Sequence, residues 1–153
     1  IGSLISKKLN LKFFDIDKVI EKETNMTISE LFEKKDEVFF RNLEEKTVMK
    51  LLNSFNGVIA LGGGSFINEN IRKEVISNNF SFWLNCNTQT LLNRIKKNKK
   101  RPVALNLNDA QLTELIIERS KIYSKAQFKI NCYKLTKNKI VRKILNLYEN
   151  NKS

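Results

Sequence analysis

No histidine occurs in the 153 residues. Its absence removes Ser–His and Cys–His nucleophilic catalysis, histidine-ligated zinc and imidazole acid–base chemistry together. Cysteine is nearly as scarce: Cys86 and Cys132 show no C-x-x-C or zinc-like spacing, and both sit in apolar segments. They read as two buried, reduced thiols of a cytosolic protein rather than a disulfide framework. No apolar run approaches the roughly 20 residues that span a bilayer. The opening "IGSLISKKLN" carries Lys7 and Lys8 after its apolar part, the reverse of a secretory signal. One proline and five glycines, with 41% hydrophobic and 29% charged residues, exclude a disordered chain. Acidic residues are outnumbered 16 to 28, for a net charge of +12, which suits nucleic acid, an anionic membrane or small anionic ligands. The lysines are scattered, only "IKKNKKR" (95–101) is a cluster, and no aromatic-interleaved basic motif occurs. The excess therefore reads as a solvated surface, with neither nucleic acid nor membrane as a partner.

What is present is an alternation of strands and helices. Strand-length apolar runs occur at "LKFFDID" (11–17), "GVIAL" (57–61), "FSFWLNC" (80–86) and "FKINCY" (128–133). All but the first are continuously hydrophobic, as strands buried on both faces are. Between them, Thr27 with Glu30 three residues on forms a capping box. Asp36 is the expected N-cap of a helix whose apolar face is marked by Phe39, Leu43, Val48, Leu51 and Leu52. Further helices are expected over 68–77, 88–97, 109–125 and 137–149. This order predicts an α/β fold with a mostly parallel sheet, in one domain over 1–153. The aperiodic, basic stretch 98–108, "NKKRPVALNLN", is a candidate lid. The first residues read as a helix tail entering a strand. A parallel α/β domain ordinarily begins with a strand, so one strand and its turn are expected to be absent.

Chemistry-bearing residues gather at strand ends. In "VIALGGGSF", Gly62, Gly63 and Gly64 follow a strand, where open α/β sheets bind ligands and bare backbone can approach a ligand oxygen. The dinucleotide pattern G-x-G-x-x-G fails at Ile67. Asp15 and Asp17 end another strand, and alternation would place both carboxylates on one face, suited to water-held Mg²⁺ or to polarising a hydroxyl. Helix capping would explain Asp17 but not Asp15. Arg41 in "FFRNLEE" and Arg119 in "ERSKIY" have forks that match a carboxylate. Arg101 in the candidate lid could close over a phosphate, and Arg94 could stack on a flat base.

The ordered set "FFDID", "TISELF", "FFRNLE", "VIALGGG", "KRP" and "ERSKIY" resembles shikimate kinase through nearly the whole chain. The resemblance implies a three-layer α/β/α P-loop kinase fold with parallel strand order 2-3-1-4-5, whose first, central strand is missing here. It implies transfer of phosphate from ATP, with Mg²⁺, to the 3-hydroxyl of shikimate, in a monomeric cytoplasmic enzyme of aromatic amino-acid synthesis. By the resemblance, Asp17 holds the substrate hydroxyls as base or orienter, and Asp15 supports Mg²⁺ through water. Arg41, Arg119 and the Gly62–Gly64 backbone take the carboxylate and ring, Arg101 stabilises the transferring phosphoryl group, and Arg94 borders the adenine. Such chemistry is positioning and charge neutralisation, and needs no histidine. Two departures stand out. The usual R-P-L-L of the lid is "RPVA" (101–104), and the strand with its G-x-x-x-x-G-K-[ST] loop does not occur. Two strand edges are therefore expected to be unpaired, and the chain as written inactive or barely stable. The rivals are a shikimate-binding relative without activity, a gluconate or nucleoside-monophosphate kinase, and a basic RNA-associated protein.

Overall fold

The structure, a computed structural model, describes residues 1–97 and 107–152. Most of the candidate lid, including Arg101, lies outside the described residues. Its last residue, Asn108, is the N-cap of α7 (Asp109–Tyr123): its side chain accepts from the Gln111 N–H, and Gln111 reciprocates.

The chain enters through α1 (Gly2–Leu9), which ends on Asn10 in the left-handed conformation, and turns into β1 (Lys12–Asp15). That strand stops two residues earlier than its apolar run suggests. The Asp15 carboxylate accepts a long 3.5 Å hydrogen bond from the Lys18 N–H and so begins α2 (Ile16–Thr24). Capping falls to Asp15, not Asp17, and Asp17 stands in the first helical turn. The two carboxylates therefore belong to different elements and do not share a strand face, because the cap breaks the alternation.

The capping box of Thr27 and Glu30 opens α3 (Ile28–Lys34). Asp36 caps α4 (Glu37–Ser54), accepting from the Phe39 N–H at 2.7 Å. The face of α4 that meets the core carries Phe40, Glu44, Thr47, Val48 and Leu51. Phe39, expected inside, is 43% exposed. A helical period started on Val48 and Leu51 reaches Phe40 and not its neighbour, and only tertiary packing separates the two phenylalanines.

β2 (Gly57–Ala60) runs parallel to β1, with Asp15 opposite Ala60. After a short 3-10 turn (Ser65–Ile67), α5 (Glu69–Asn78) leads to β3 (Phe82–Asn85) and α6 (Thr88–Lys97). β4 (Phe128–Asn131) pairs parallel with β3, and α8 (Lys137–Asn151) closes the described chain. Among the described residues the strands thus form two parallel pairs, β1–β2 and β3–β4. These are the pairs that order 2-3-1-4-5 contains beside its first strand. The strands are less buried than their continuous hydrophobicity suggests: every residue of β2 is only partly covered, and in β4 Ile130 alone is buried. Each two-stranded pair leaves both strands with an open edge.

Alternation in β2 shows the layering. Ile59 packs against a core of Ile16, Ile20, Leu31, Val48, Leu51 and Ile71, supplied by α2 to α5. Its neighbour Val58 packs against the other core, Ile5 of α1 with Ile140, Val141 and Ile144 of α8 and Ile130 of β4. Successive side chains of a strand point to opposite faces, so helices cover the strands on both sides. This is the three-layer α/β/α arrangement.

Removing the α4 cap tests how far the helix carrying Arg41 depends on local chemistry. Asp36→Ala is expected to cost about 1 kcal/mol in urea denaturation, the usual worth of such a cap. An unchanged midpoint would show that tertiary packing alone holds the first turn.

Candidate active site

The site grows from the C-terminal ends of β1 and β2. None of the glycines has a positive φ, and Gly64 sits at φ −104°, ψ −27°, a conformation open to any residue. What the triple glycine supplies is space. A Cβ on Gly64 would lie 2.2 Å from Arg41 Nη1 and 2.7 Å from its Cζ. One on Gly62 would meet Asp17 Oδ1 at 3.2 Å, Glu44 Oε1 at 3.4 Å and Ser65 Oγ at 3.5 Å. One on Gly63 would meet Arg119 Nη1 at 3.5 Å. The turn is held by Ser65 N–H donating to Gly62 O at 3.2 Å and Ile67 N–H to Gly64 O at 3.0 Å. The Tyr123 hydroxyl donates to Gly63 O, tying α7 to it.

Asp17, Arg41, Gly62–Gly64 and Arg119, separate in the sequence, therefore converge on one turn. Arg41 is half-buried between two carboxylates. Nη1 donates to Glu44 Oε2 at 2.8 Å, while Nε and Nη2 donate to Glu37 Oε1 at 3.3 and 3.1 Å. Burial is the largest single influence on its pKa and acts to lower it. The hydrogen bonds and charges of Glu44 and Glu37 together outweigh burial, so the pKa is raised and the guanidinium stays cationic. Glu44 is only 3% exposed, and its second oxygen accepts from Ser65 Oγ at 2.6 Å.

Glu44, Ser65 and Tyr123 were not assigned roles by sequence reasoning. Glu44 stands three residues after Arg41, a spacing that brings helical side chains together. Tyr123 follows Arg119 by four on α7, which carries both to the turn. A glutamate beside another glutamate in "NLEEK" otherwise reads as solvated surface. Its neighbour Glu45 anchors the start of α5, accepting from Asn68 and Asn70 at 2.6 and 2.7 Å. The Asn70 bond, then the Asn68 bond, holds its carboxyl below the usual range.

Asp15 lies half-buried at the end of β1, opposite Ala60 and close to the glycine turn in register. Arg94 does not join this cluster. It stands exposed on α6, beside the end of β3, where Nη1 donates to Cys86 Sγ at 3.4 Å. Among the described residues no group of three or more Cys, Asp or Glu side chains could hold a metal by itself. No helix of the described residues is long and apolar enough to cross a membrane.

A three-layer parallel α/β fold thus brings a carboxylate and two guanidinium groups to one glycine turn at the strand ends. Solved shikimate kinase structures share the fold. Shikimate kinase from Acinetobacter baumannii in complex with shikimate superposes with a TM-score of 0.90 at 28% identity, over 99% of this chain and 86% of that one. Shikimate kinase from Aquifex aeolicus gives 0.86 at 35% identity, over 98% and 88%. A sequence model described as shikimate kinase matches residues 1–149. Shikimate kinase of Bartonella henselae is 38% identical over 146 residues, 95% of this chain and 70% of the relative. That of Sulfurihydrogenibium sp. is 37% identical over 145 residues, 95% and 87%. The chain belongs to the shikimate kinase family.

Space at the turn is separable from space for a ligand. Gly64→Ala is expected to displace the Arg41 guanidinium from Glu44 and to cost about 1–3 kcal/mol in urea denaturation. Gly63→Ala meets only ordinary van der Waals distances and should leave stability within about 0.5 kcal/mol. Equal losses from the two would show that the glycines serve backbone freedom rather than close approach.

Proposed function

We propose that the glycine turn receives shikimate and forms the acceptor half of a phosphoryl transfer from ATP to the shikimate 3-hydroxyl, giving shikimate 3-phosphate. The observation that carries this reading is the convergence of Asp17, Arg41 and Arg119 on Gly62–Gly64. The relative solved with shikimate bound, with its TM-score of 0.90, supports the choice of acceptor.

The substrate carboxylate binds between Arg41 and Arg119. Arg41 already holds one exposed carboxylate, that of Glu37, whose side chain is 56% accessible. An exposed pair of this kind contributes little, so an incoming carboxylate can replace Glu37 on Nε and Nη2. Glu44 keeps Nη1 throughout and sets the orientation of the fork. The ring rests on Gly63 and Gly64, where any side chain would occupy its place. Asp17, at the edge of the turn beside Gly62, accepts the hydrogen bond of the acceptor hydroxyl and takes its proton as the oxygen attacks.

ATP supplies the transferable γ-phosphoryl group when bound. Arg94 fits the flat base: it is exposed, on a helix following the C-terminal end of a parallel strand, where such folds bind ligands. Asp15 fits Mg²⁺ only through water. One oxygen already accepts from the Lys18 N–H, and no group of three or more Cys, Asp or Glu side chains forms a protein-only site among the described residues. No G-x-x-x-x-G-K-[ST] segment occurs in residues 1–153, so Arg101, toward the transferring phosphoryl group, is the one phosphate contact assigned to this sequence.

Titration calorimetry of the chain with shikimate, without nucleotide, tests the acceptor site apart from turnover. Arg41→Ala and Arg119→Ala are each expected to weaken shikimate binding by about 10–100-fold, the worth of a charge-assisted hydrogen bond, and to leave ATP binding unchanged. Tighter binding of gluconate or a nucleoside monophosphate than of shikimate would overturn the assignment.

A further inference from the structure

Away from the acceptor site, the parallel pairing of β3 and β4 brings together two groups that the sequence keeps far apart. Asn85 lies opposite Asn131 in the register, and Cys86 and Cys132 are the next residue on each strand. The ladder continues past the last assigned pair, since the Cys132 N–H donates to Asn85 O at 2.8 Å. Alternation then turns both thiols to the same face, opposite to the two asparagines. Each cysteine is free and only partly buried, within reach of a small solute. Adjacent strands run about 4.8 Å apart, inside the roughly 4.4–6.8 Å Cα separation that a disulfide spans.

The two thiols are not equivalent. Cys86 Sγ accepts a 3.4 Å hydrogen bond from the Arg94 guanidinium. Cys132 is pushed up to about 11, chiefly by burial and then by the charge and hydrogen bonding of Cys86, whose sulfur is therefore its close neighbour. The Cys132 thiol donates to Ile130 O at 3.4 Å, which holds its proton in place. One sulfur faces a cationic donor and the other donates its proton to a backbone carbonyl.

We propose that Cys86 and Cys132 form a reversible dithiol–disulfide pair that reacts with low-molecular-weight disulfides, with Cys86 attacking and Cys132 resolving. In the first step the Cys86 thiolate attacks one sulfur of R–S–S–R. The S–S bond breaks, one R–S⁻ leaves and takes up a proton from water, and a mixed disulfide stands on Cys86. In the second step Cys132 loses its proton to solvent and its sulfur attacks Cys86 Sγ. The Cys86–S–S–R bond breaks, the second R–S⁻ leaves, and the Cys86–Cys132 bond forms. The protein is oxidised by two electrons and the small disulfide is reduced to two thiols. The oxidised form ties the C-terminal end of β3 to that of β4.

The pairing is tested on the full chain with oxidised glutathione, read by intact mass and peptide mapping. The expected product has lost two hydrogens, contains one linked peptide pair carrying Cys86 and Cys132, and is restored by dithiothreitol. Cys132→Ser should accumulate glutathione on Cys86, whereas Cys86→Ser should react at least tenfold more slowly, and Arg94→Ala should slow the first step severalfold. A wild-type chain that retains glutathione on one cysteine, or links only between two chains, would overturn the pairing. Equal rates for the two serine variants would overturn the assignment of attacker and resolver.

Discussion

The buried carboxylate of Glu44 is the constraint on which the glycine turn and the proposed acceptor site depend. A carboxylate withdrawn from water costs several kcal/mol unless each oxygen finds a donor. Here one oxygen takes Arg41 Nη1 and the other takes Ser65 Oγ, so the helix α4 and the turn after β2 share a single charge. Satisfying that charge draws Arg41 across Gly64 until no Cβ could stand between them. The glycine at position 64 is thus a consequence of where the guanidinium lies.

Around this bridge the fold works by converging strand ends. β2 carries Ile59 toward the core of α2 to α5 and Val58 toward the core of α1 and α8, and so presents its C-terminal end at the meeting of two packed layers. β1 ends beside it on Asp15, whose capping of α2 swings Asp17 out of the strand and toward Gly62. The β3–β4 pair ends with its own cluster of Cys86, Cys132 and Arg94. Each parallel pair thus carries reactive groups at its C-terminal end, for the same topological reason.

Local signals were legible wherever a few neighbouring residues settle the outcome. Thr27 with Glu30 and Asp36 before α4 cap the helices they precede, because the bonds involved span three residues. Asp15 and Asp17 show the limit of that kind of reading. Both satisfy the rule for a cap, and the choice turned on where β1 leaves its partner. The same holds for Phe39 and Phe40, adjacent in sequence and placed on opposite sides of the water boundary by the packing of α3, where Phe32 meets the Phe40 ring at 4.8 Å.

By itself the sequence determined the class of fold, the family motifs and the residue types of the site: an aspartate, two arginines and three glycines near strand ends. It could do so because hydrophobic period, capping chemistry and glycine runs are properties of short segments. Only the tertiary structure decided that Glu44 is buried, that Ser65 and Tyr123 anchor the glycine turn, and that two distant cysteines stand on one rung. Those outcomes depend on parallel register and helix docking, which join residues far apart in the chain and leave no trace in the spacing of either partner.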